Sequence, residues 1–306
     1  MNMFDAARWA GTPKYQNFTY WFIRHERQDG VWAIYKKESN EFITHYDESK
    51  ADGITDTGCI DTHTQYPITS DMPSAIVEDF KKFQMRPEYC VGNQVDVDNI
   101  DMETATTCYE MLLVGIMFIR AQRNGVDPDS VFDRFAHTCL DWIRTTDMYT
   151  APASTKYHDA FAGGLLYHSL KVYNKALDVM KLPTFISNCT VILSSVALVA
   201  LVHDWCKIDL YEPYMRNVKN EETGKWEQVQ EYRHNQRGIP LGHGVSSMFL
   251  ASKCFKLSVS ESLAIRWHMG FCRVADSDMN ELQLANETHP LVHLLQFADQ
   301  LAIVQY

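Results

Sequence analysis

The sequence predicts a mainly α-helical protein with a small β-containing N-terminal region and a β-hairpin inserted between helices. Three observations carry that expectation. From about residue 101 onward, apolar residues recur at helical spacing in a succession of segments that make five to seven helices. Ahead of them, residues 17–47 hold three short aromatic and β-branched runs separated by turn-like stretches. Within the helical part, residues 216–233 are polar and read as two β-like runs about a Gly-Lys turn. The expected organisation is a small β and irregular region over 1–100 and an α-helical domain over 101–306.

Taken in order, NFTYWFIRHE, GVWAIYKK and EFITHYD predict a small antiparallel meander. Residues 48–72, rich in Asp, Thr, Gly and Ser, read as loop. Residues 73–85 read as a short helix opened by Pro73 and Ser74. The run 103–125 has an apolar stripe and stops at Gly125, a residue suited to a helix C-terminus. Helical patterns follow at 130–146, 163–180, 189–208, 243–257, 260–271 and 290–306. Gly238-Ile239-Pro240 closes the hairpin segment.

Composition narrows the function classes. The 306 residues are 46% hydrophobic and 22% charged, enough for a sizeable core. A net charge of −11 disfavours an extended basic surface for duplex DNA or anionic lipid. No apolar run approaches the ~18 residues of a membrane span. The first residues lack the apolar core of a signal peptide, so a cytoplasmic location is expected. Eight cysteines lie scattered with no CxxC pair, which fits reduced thiols and closes the zinc-knuckle option.

The twelve histidines are the unusual feature. His168 shares a helix face with Leu165, Val172 and Ala176. His203 follows Val196 and Val199 on the inward face of its own segment, and Asp204 lies about 100° further round. His268 has Ala264 and Ile265 at −4 and −3. Asp299 has Val292, Leu295 and Ile303 at −7, −4 and +4. His243 opens a helix whose apolar face is expected to begin with Val245, Met248 and Phe249. A lone histidine on an apolar face is more often a hydrogen-bonded core residue than a ligand. Five segments that each aim a His or Asp inward are a different matter. Buried carboxylates left unpaired cost several kcal/mol, so these groups must satisfy one another or bind a metal. Imidazoles with carboxylates suit Mn, Fe, Ni, Co or Zn, and the absence of thiols from the set argues against a purely structural site.

The order His168, His203-Asp204, His243, His268, Asp299 resembles the HD superfamily of metal-dependent phosphohydrolases, in its two-metal form. The likeness covers residues 150–305, about half the chain. His203-Asp204-Trp205-Cys206-Lys207 is similar to the HDxxK form of the doublet, and APASTKYHDAFAGGLLYHSLKVY to the approach to the first histidine in the YhaM-like exoribonuclease branch. GHGVSS and RWHMG resemble segments of unassigned bacterial and phage HD hydrolases. That branch carries two adjacent histidines where this chain has His158-Asp159, and its N-terminal nucleic-acid module has no clear counterpart here.

The resemblance implies an HD-type helical bundle that holds two divalent ions, drawn from Mn, Fe, Ni, Co, Zn or Mg. One ion would take His168, His203, Asp204 and Asp299; the other would share Asp204 and add His243 and His268. Such a pair, about 3.5–4 Å apart, activates a water for in-line attack on phosphorus. Asp204 and Lys207 are then the expected catalytic residues. Lys207, one turn beyond His203, offsets charge on the phosphate, with His158 and Lys171 as further substrate contacts. The expected partner is a small phosphorylated substrate, a nucleotide or short phosphodiester, in preference to an extended nucleic acid or a membrane. Two alternatives stand beside it: a di-iron oxygenase on the same scaffold, and a non-catalytic nucleotide-sensing module.

Overall fold

The computed structural model describes residues 20–24, 31–36, 41–47 and 90–304, except 189–190, 222, 236–237 and 273. The loop expected at 48–72 and the helix expected at 73–85 lie outside the described residues. The chain divides into two units, Met1–Cys90 and Val91–Tyr306.

In the first unit, strands β1 (Tyr20–Arg24), β2 (Val31–Lys36) and β3 (Glu41–Asp47) form an antiparallel sheet in that order. Phe22 pairs with Ile34, and Ile34 with Thr44. A bulge between Ile34 and Tyr35 shifts the second ladder.

The second unit is helical. Its first residues are tied to a later helix: Tyr173 Oη accepts from the Gly92 amide at 2.8 Å, and Asn174 exchanges two hydrogen bonds with the Val95 backbone at 2.9 and 2.6 Å. These residues, from Val91 on, belong to the helical unit. Helix α1 (Met102–Arg123) opens on Asp101, whose carboxylate accepts from the Thr104 amide. It closes at Asn124, with Gly125 beyond it at φ +68°. By length and composition α1 is the one described helix long and apolar enough to cross a membrane; in this structure most of its apolar residues from Tyr109 to Phe118 pack into the helical core.

The segment expected at 130–146 is α2 (Pro128–Phe135), a π-turn (Ala136–Leu140) and α3 (Asp141–Arg144) in continuous succession. Then come α4 (Gly164–Met180), α5 (Pro183–Asn188), α6 (Leu193–Val202) and a 3₁₀ turn at Trp205–Lys207. The expected hairpin is β4 (Tyr211–Lys219) paired antiparallel with β5 (Trp226–His234), longer at both ends than 216–233. Both strands are largely exposed, and Arg216 pairs with Glu231. Helices α7 (His243–Cys254), α8 (Val259–Trp267), α9 (Met279–Thr288) and α10 (Pro290–Ala302) complete the unit. Helix α9 was not expected, because MNELQLANET is mostly polar and buries only Leu282, Ala285 and Asn286.

The core forms where α4 packs on α6 and α10, α8 on α10, and α1 on α6. Leu165, Val172, Ala176, Val196, Val199, Ala264, Val292 and Leu295 are fully buried, as their spacing requires. Ile303, expected on the inward face with Asp299, lies past the end of α10 and is exposed. The inward face of α7 also differs from expectation. Gly244, Ser247, Leu250 and Ala251 are buried, whereas Phe249 is exposed. Small residues are required there because α7 meets the backbone of α8: a Cβ at Gly244 would lie 2.1 Å from the Arg266 carbonyl oxygen.

Candidate metal centre

The site is assembled from the ends of helices as much as from their faces. His168 projects from the second turn of α4 and is fully buried. Helix α6 stops at Val202, so His203 is its C-cap and Asp204 already has non-helical angles, φ −106° and ψ 17°. His268 is likewise the C-cap of α8. His243 is the first residue of α7, and Asp299 sits in the last turn of α10.

The four histidines converge on Asp204, and Asp299 joins them through His168 and His203. Its Oδ1 is 2.8 Å from His243 Nε2 and 3.5 Å from His268 Nε2. Its Oδ2 is 3.3 Å from His203 Nε2, 3.4 Å from His168 Nε2 and 2.6 Å from Lys207 Nζ. Asp299 Oδ1 lies 3.2 Å from His168 Nε2 and 3.7 Å from His203 Nε2.

Two of the rings are set in the same way. His203 Nδ1 is 2.8 Å from the Ala200 carbonyl, and His268 Nδ1 is 2.7 Å from the Ile265 carbonyl, each three residues back. A carbonyl only accepts, so each Nδ1 must carry the proton. The Nε2 of a neutral ring is then bare: His268 Nε2 faces the Asp204 carboxylate, and His203 Nε2 faces Asp204, Asp299 and, at 3.4 Å, His168 Nε2. Lone pairs facing lone pairs in a buried site repel unless a cation lies among them. His268 Nε2 has no hydrogen-bond partner; it is one of three such buried side-chain atoms among the described residues, and His168 Nδ1 is another.

The electrostatics point the same way. Burial alone would raise the Asp204 carboxyl, but Lys207 and the surrounding histidines hold it well below the usual carboxylate range. Asp299 is likewise held down against its burial, by His168 and His203. Burial opposes charge on His168, yet Asp159, Asp204 and Asp299 outweigh it and raise the imidazole to about 10. His203, for which burial dominates, is lowered. The His168 imidazole and the Lys207 ammonium are thus the positive partners of the Asp204 and Asp299 carboxylates.

The donor set fits divalent cations. Three groups present ligand atoms within 4.8 Å of one another: His168, His203 and Asp299; His203, Asp204 and His268; and Asp204, Cys206 and His243. Neutral imidazole nitrogens with ionised carboxylates are the ligands of first-row divalent metals.

The remaining expected residues take up less simple positions. Lys207 is not one helical turn above His203, because the helix has ended. It donates to Asp204 through a 3₁₀ turn, in which residues three apart eclipse, and is itself buried. Its ammonium is raised by Asp204 despite burial. The half-buried His158 lies with its ring centroid 4.9 Å from that of His168, and is lowered by burial and by His168. Lys171 gives its ammonium to Asp159 at 2.6 Å.

Two contributors had no strong signal in the sequence. Asp159 occupies an irregular loop at φ +48°, where no periodicity announces its direction. That loop closes on the start of α4: Asp159 O accepts from Ala153 N, and a Cβ at Gly164 would lie 1.9 Å from the same oxygen. Asp159 Oδ2 comes to 3.7 Å from His168 Nδ1, on the edge of the ring opposite the cluster. Cys206 is the other. Its Sγ is 3.2 Å from His243 Nδ1, so a thiol does belong to the set from which thiols were thought absent. Burial and Asp204 push that thiol up to about 12.

A carboxylate behind a liganding imidazole fixes the ring and raises its basicity. Asp159→Asn is therefore expected to weaken metal binding by about 10–100-fold, with little change in the melting transition of the chelator-treated protein. Competition against a fluorescent chelator measures this. Unchanged affinity would show that Asp159 only anchors its loop.

No protein-family model, curated protein or solved structure matches this chain.

Proposed function

We propose that the chain is a divalent-metal-dependent phosphohydrolase of the HD type, acting on a nucleotide or short phosphodiester. The observation that carries this reading is the helix-capping His268, whose carbonyl-bound Nδ1 leaves an unpartnered Nε2 facing the Asp204 carboxylate, beside His203 set in the same way. A site made only to hold a fold together would have paired His268 Nε2 with a donor. His168, His203 and Asp299 would hold one ion, and His243 and His268 the other, with Asp204 reaching both. When bound, such ions supply Lewis acidity toward phosphate oxygens and lower the pKa of a coordinated water.

The chain's own groups complete the chemistry. Lys207 keeps Asp204 ionised and fixes which carboxylate oxygen faces each histidine. Its ammonium also adds positive charge beside the cluster, inside a protein of net charge −11. His243, at 35% side-chain exposure the most open of the histidine ligands, marks the side from which a substrate would reach the centre. His158 covers the face of His168 and offers a half-buried imidazole next to it. With two dications bound beside Lys207, the pocket would be locally positive inside an acidic protein, which suits a small phosphate ester better than a long strand.

The test is a screen of the manganese-loaded protein against deoxynucleoside triphosphates, nucleoside monophosphates, cyclic nucleotides, dinucleotides and short RNA, with metal content measured on the same sample. The expected result is metal-dependent release of phosphate or nucleotide from one of these classes, lost in a His203→Ala, Asp204→Ala double variant. Metal-loaded protein that hydrolyses none of them, or a double variant that retains full hydrolysis, overturns the reading.

A further inference from the structure

The two halves of this centre differ in one respect that the histidine pattern does not contain. Around His168, His203 and Asp299 every ligand atom is nitrogen or oxygen. Around His243 a sulfur is present: Asp204, His243 and Cys206 place O, N and S within 4.8 Å of one another. We propose that Cys206 is a thiolate ligand of the ion held by Asp204 and His243, which makes that half selective for a thiophilic metal such as zinc or cobalt.

The backbone fixes the sulfur in this position. Cys206 lies in the 3₁₀ turn that begins directly after Asp204. Its amide donates to Ser247 Oγ at 3.0 Å, which pins the turn against α7, the helix that carries His243 at its first residue. Cys206 Sγ is then 3.2 Å from His243 Nδ1 and 3.7 Å from its Nε2, so the sulfur lies along the ring edge. His243 Nε2 is at the same time 2.8 Å from Asp204 Oδ1. A cysteine serving only as core filler packs among apolar atoms; this one is surrounded by an imidazole, a carboxylate and a hydroxyl. On coordination, the metal–sulfur bond replaces the S–H bond and the proton passes to solvent, with no change of oxidation state. Thiolate favours zinc and cobalt over manganese and magnesium, whereas the half made only of imidazoles and carboxylates accepts the harder ions. The two halves would therefore load with different metals. The inference rests on the proposal that the cluster binds divalent metal, but not on the reaction it catalyses.

Cobalt substitution reads the ligand directly. The full chain is stripped with chelator, reloaded with Co²⁺, and its bound cobalt counted beside its near-ultraviolet absorption spectrum. The expected result is a thiolate-to-cobalt charge-transfer band in the wild type that is lost in Cys206→Ser at undiminished cobalt content. Bound cobalt without that band, or a band that persists in Cys206→Ser, overturns the inference while leaving the metal centre standing. Failure to bind cobalt at all overturns both. Should Cys206→Ser fold poorly, X-ray absorption on the zinc-loaded wild type decides the matter: a sulfur shell at about 2.3 Å is expected, and nitrogen and oxygen neighbours alone would refute it.

Discussion

Replacing Asp204 is expected to abolish metal binding and turnover by either of two substitutions, while the two separate sharply in stability. Asp204 is buried and faces His168, His203, His243, His268 and Lys207. Both Asp204→Asn and Asp204→Ala remove the one carboxylate that reaches both halves of the centre, so metal content should fall toward background in each. Their effect on Lys207 differs. In Asp204→Asn the side-chain carbonyl still accepts from the buried ammonium, and the amide donates toward a bare imidazole nitrogen. In Asp204→Ala that ammonium, 2.6 Å from its partner in the wild type, is left in the interior with none. Breaking a buried ion pair from one side costs about 3–5 kcal/mol. Asp204→Ala should therefore lose that much in chemical denaturation with chelator present, and Asp204→Asn a fraction of it. A double variant, Asp204→Ala with Lys207→Met, should recover most of the loss, because it removes the stranded charge. Equal stability of the two single variants would mean that Lys207 reaches water without Asp204.

What could be read from the amino-acid order, and what could not, follows from how each residue is held. His168 lies mid-face on a regular helix between Leu165 and Val172, so its direction could be read from spacing. His203 and His268 were also placed inward correctly, although for an incomplete reason. Each sits at the end of its helix rather than within it, and the hydrogen bond to the carbonyl three residues back orients the ring. Periodicity carries no information beyond a helix end, which is why Lys207 was expected over His203 and is found on Asp204 instead. Asp159 was passed over because its loop has no repeat, and because its effect depends on a close approach to Gly164 that a one-dimensional pattern does not express. Cys206 was one of eight scattered thiols with no CxxC partner to mark it; only the packing of the 3₁₀ turn on α7 brings it to His243. The N-terminal meander and the hairpin were both legible, since β-branched and aromatic runs broken by turn residues have few other solutions.

The inward face of α7 leads to the second large effect. Hydrophobicity assigned it to Val245, Met248 and Phe249, but the buried residues include Gly244, Ser247 and Ala251. These are small because α7 lies against the main chain of α8. At Gly244 a methyl group would meet Arg266 O at 2.1 Å, its carbonyl carbon at 2.6 Å and its Cα at 2.8 Å. None of those atoms belongs to a flexible side chain, so Gly244→Ala must push the helices apart, by about 1 Å if ordinary van der Waals spacing is restored. Overpacking of this kind costs about 1–3 kcal/mol. The functional loss should exceed what that figure conveys, because His243 is the neighbour of Gly244 and His268 lies two residues beyond Arg266. Their rings, 5.1 Å apart between centroids, would separate with the helices, and both face Asp204 Oδ1. His168, His203 and Asp299 are carried by α4, α6 and α10 and take no part in that contact. Gly244→Ala is therefore expected to keep one ion per chain and lose the other, with turnover down by about a hundredfold, the usual consequence of an ångström's misplacement. Ser252→Ala, on the exposed side of the same helix, should change neither. Metal counting by mass spectrometry checks the stoichiometry: two ions retained at wild-type affinity in Gly244→Ala would show that α7 does not position a ligand, while the loss of both would mean that the two halves of the centre do not load independently.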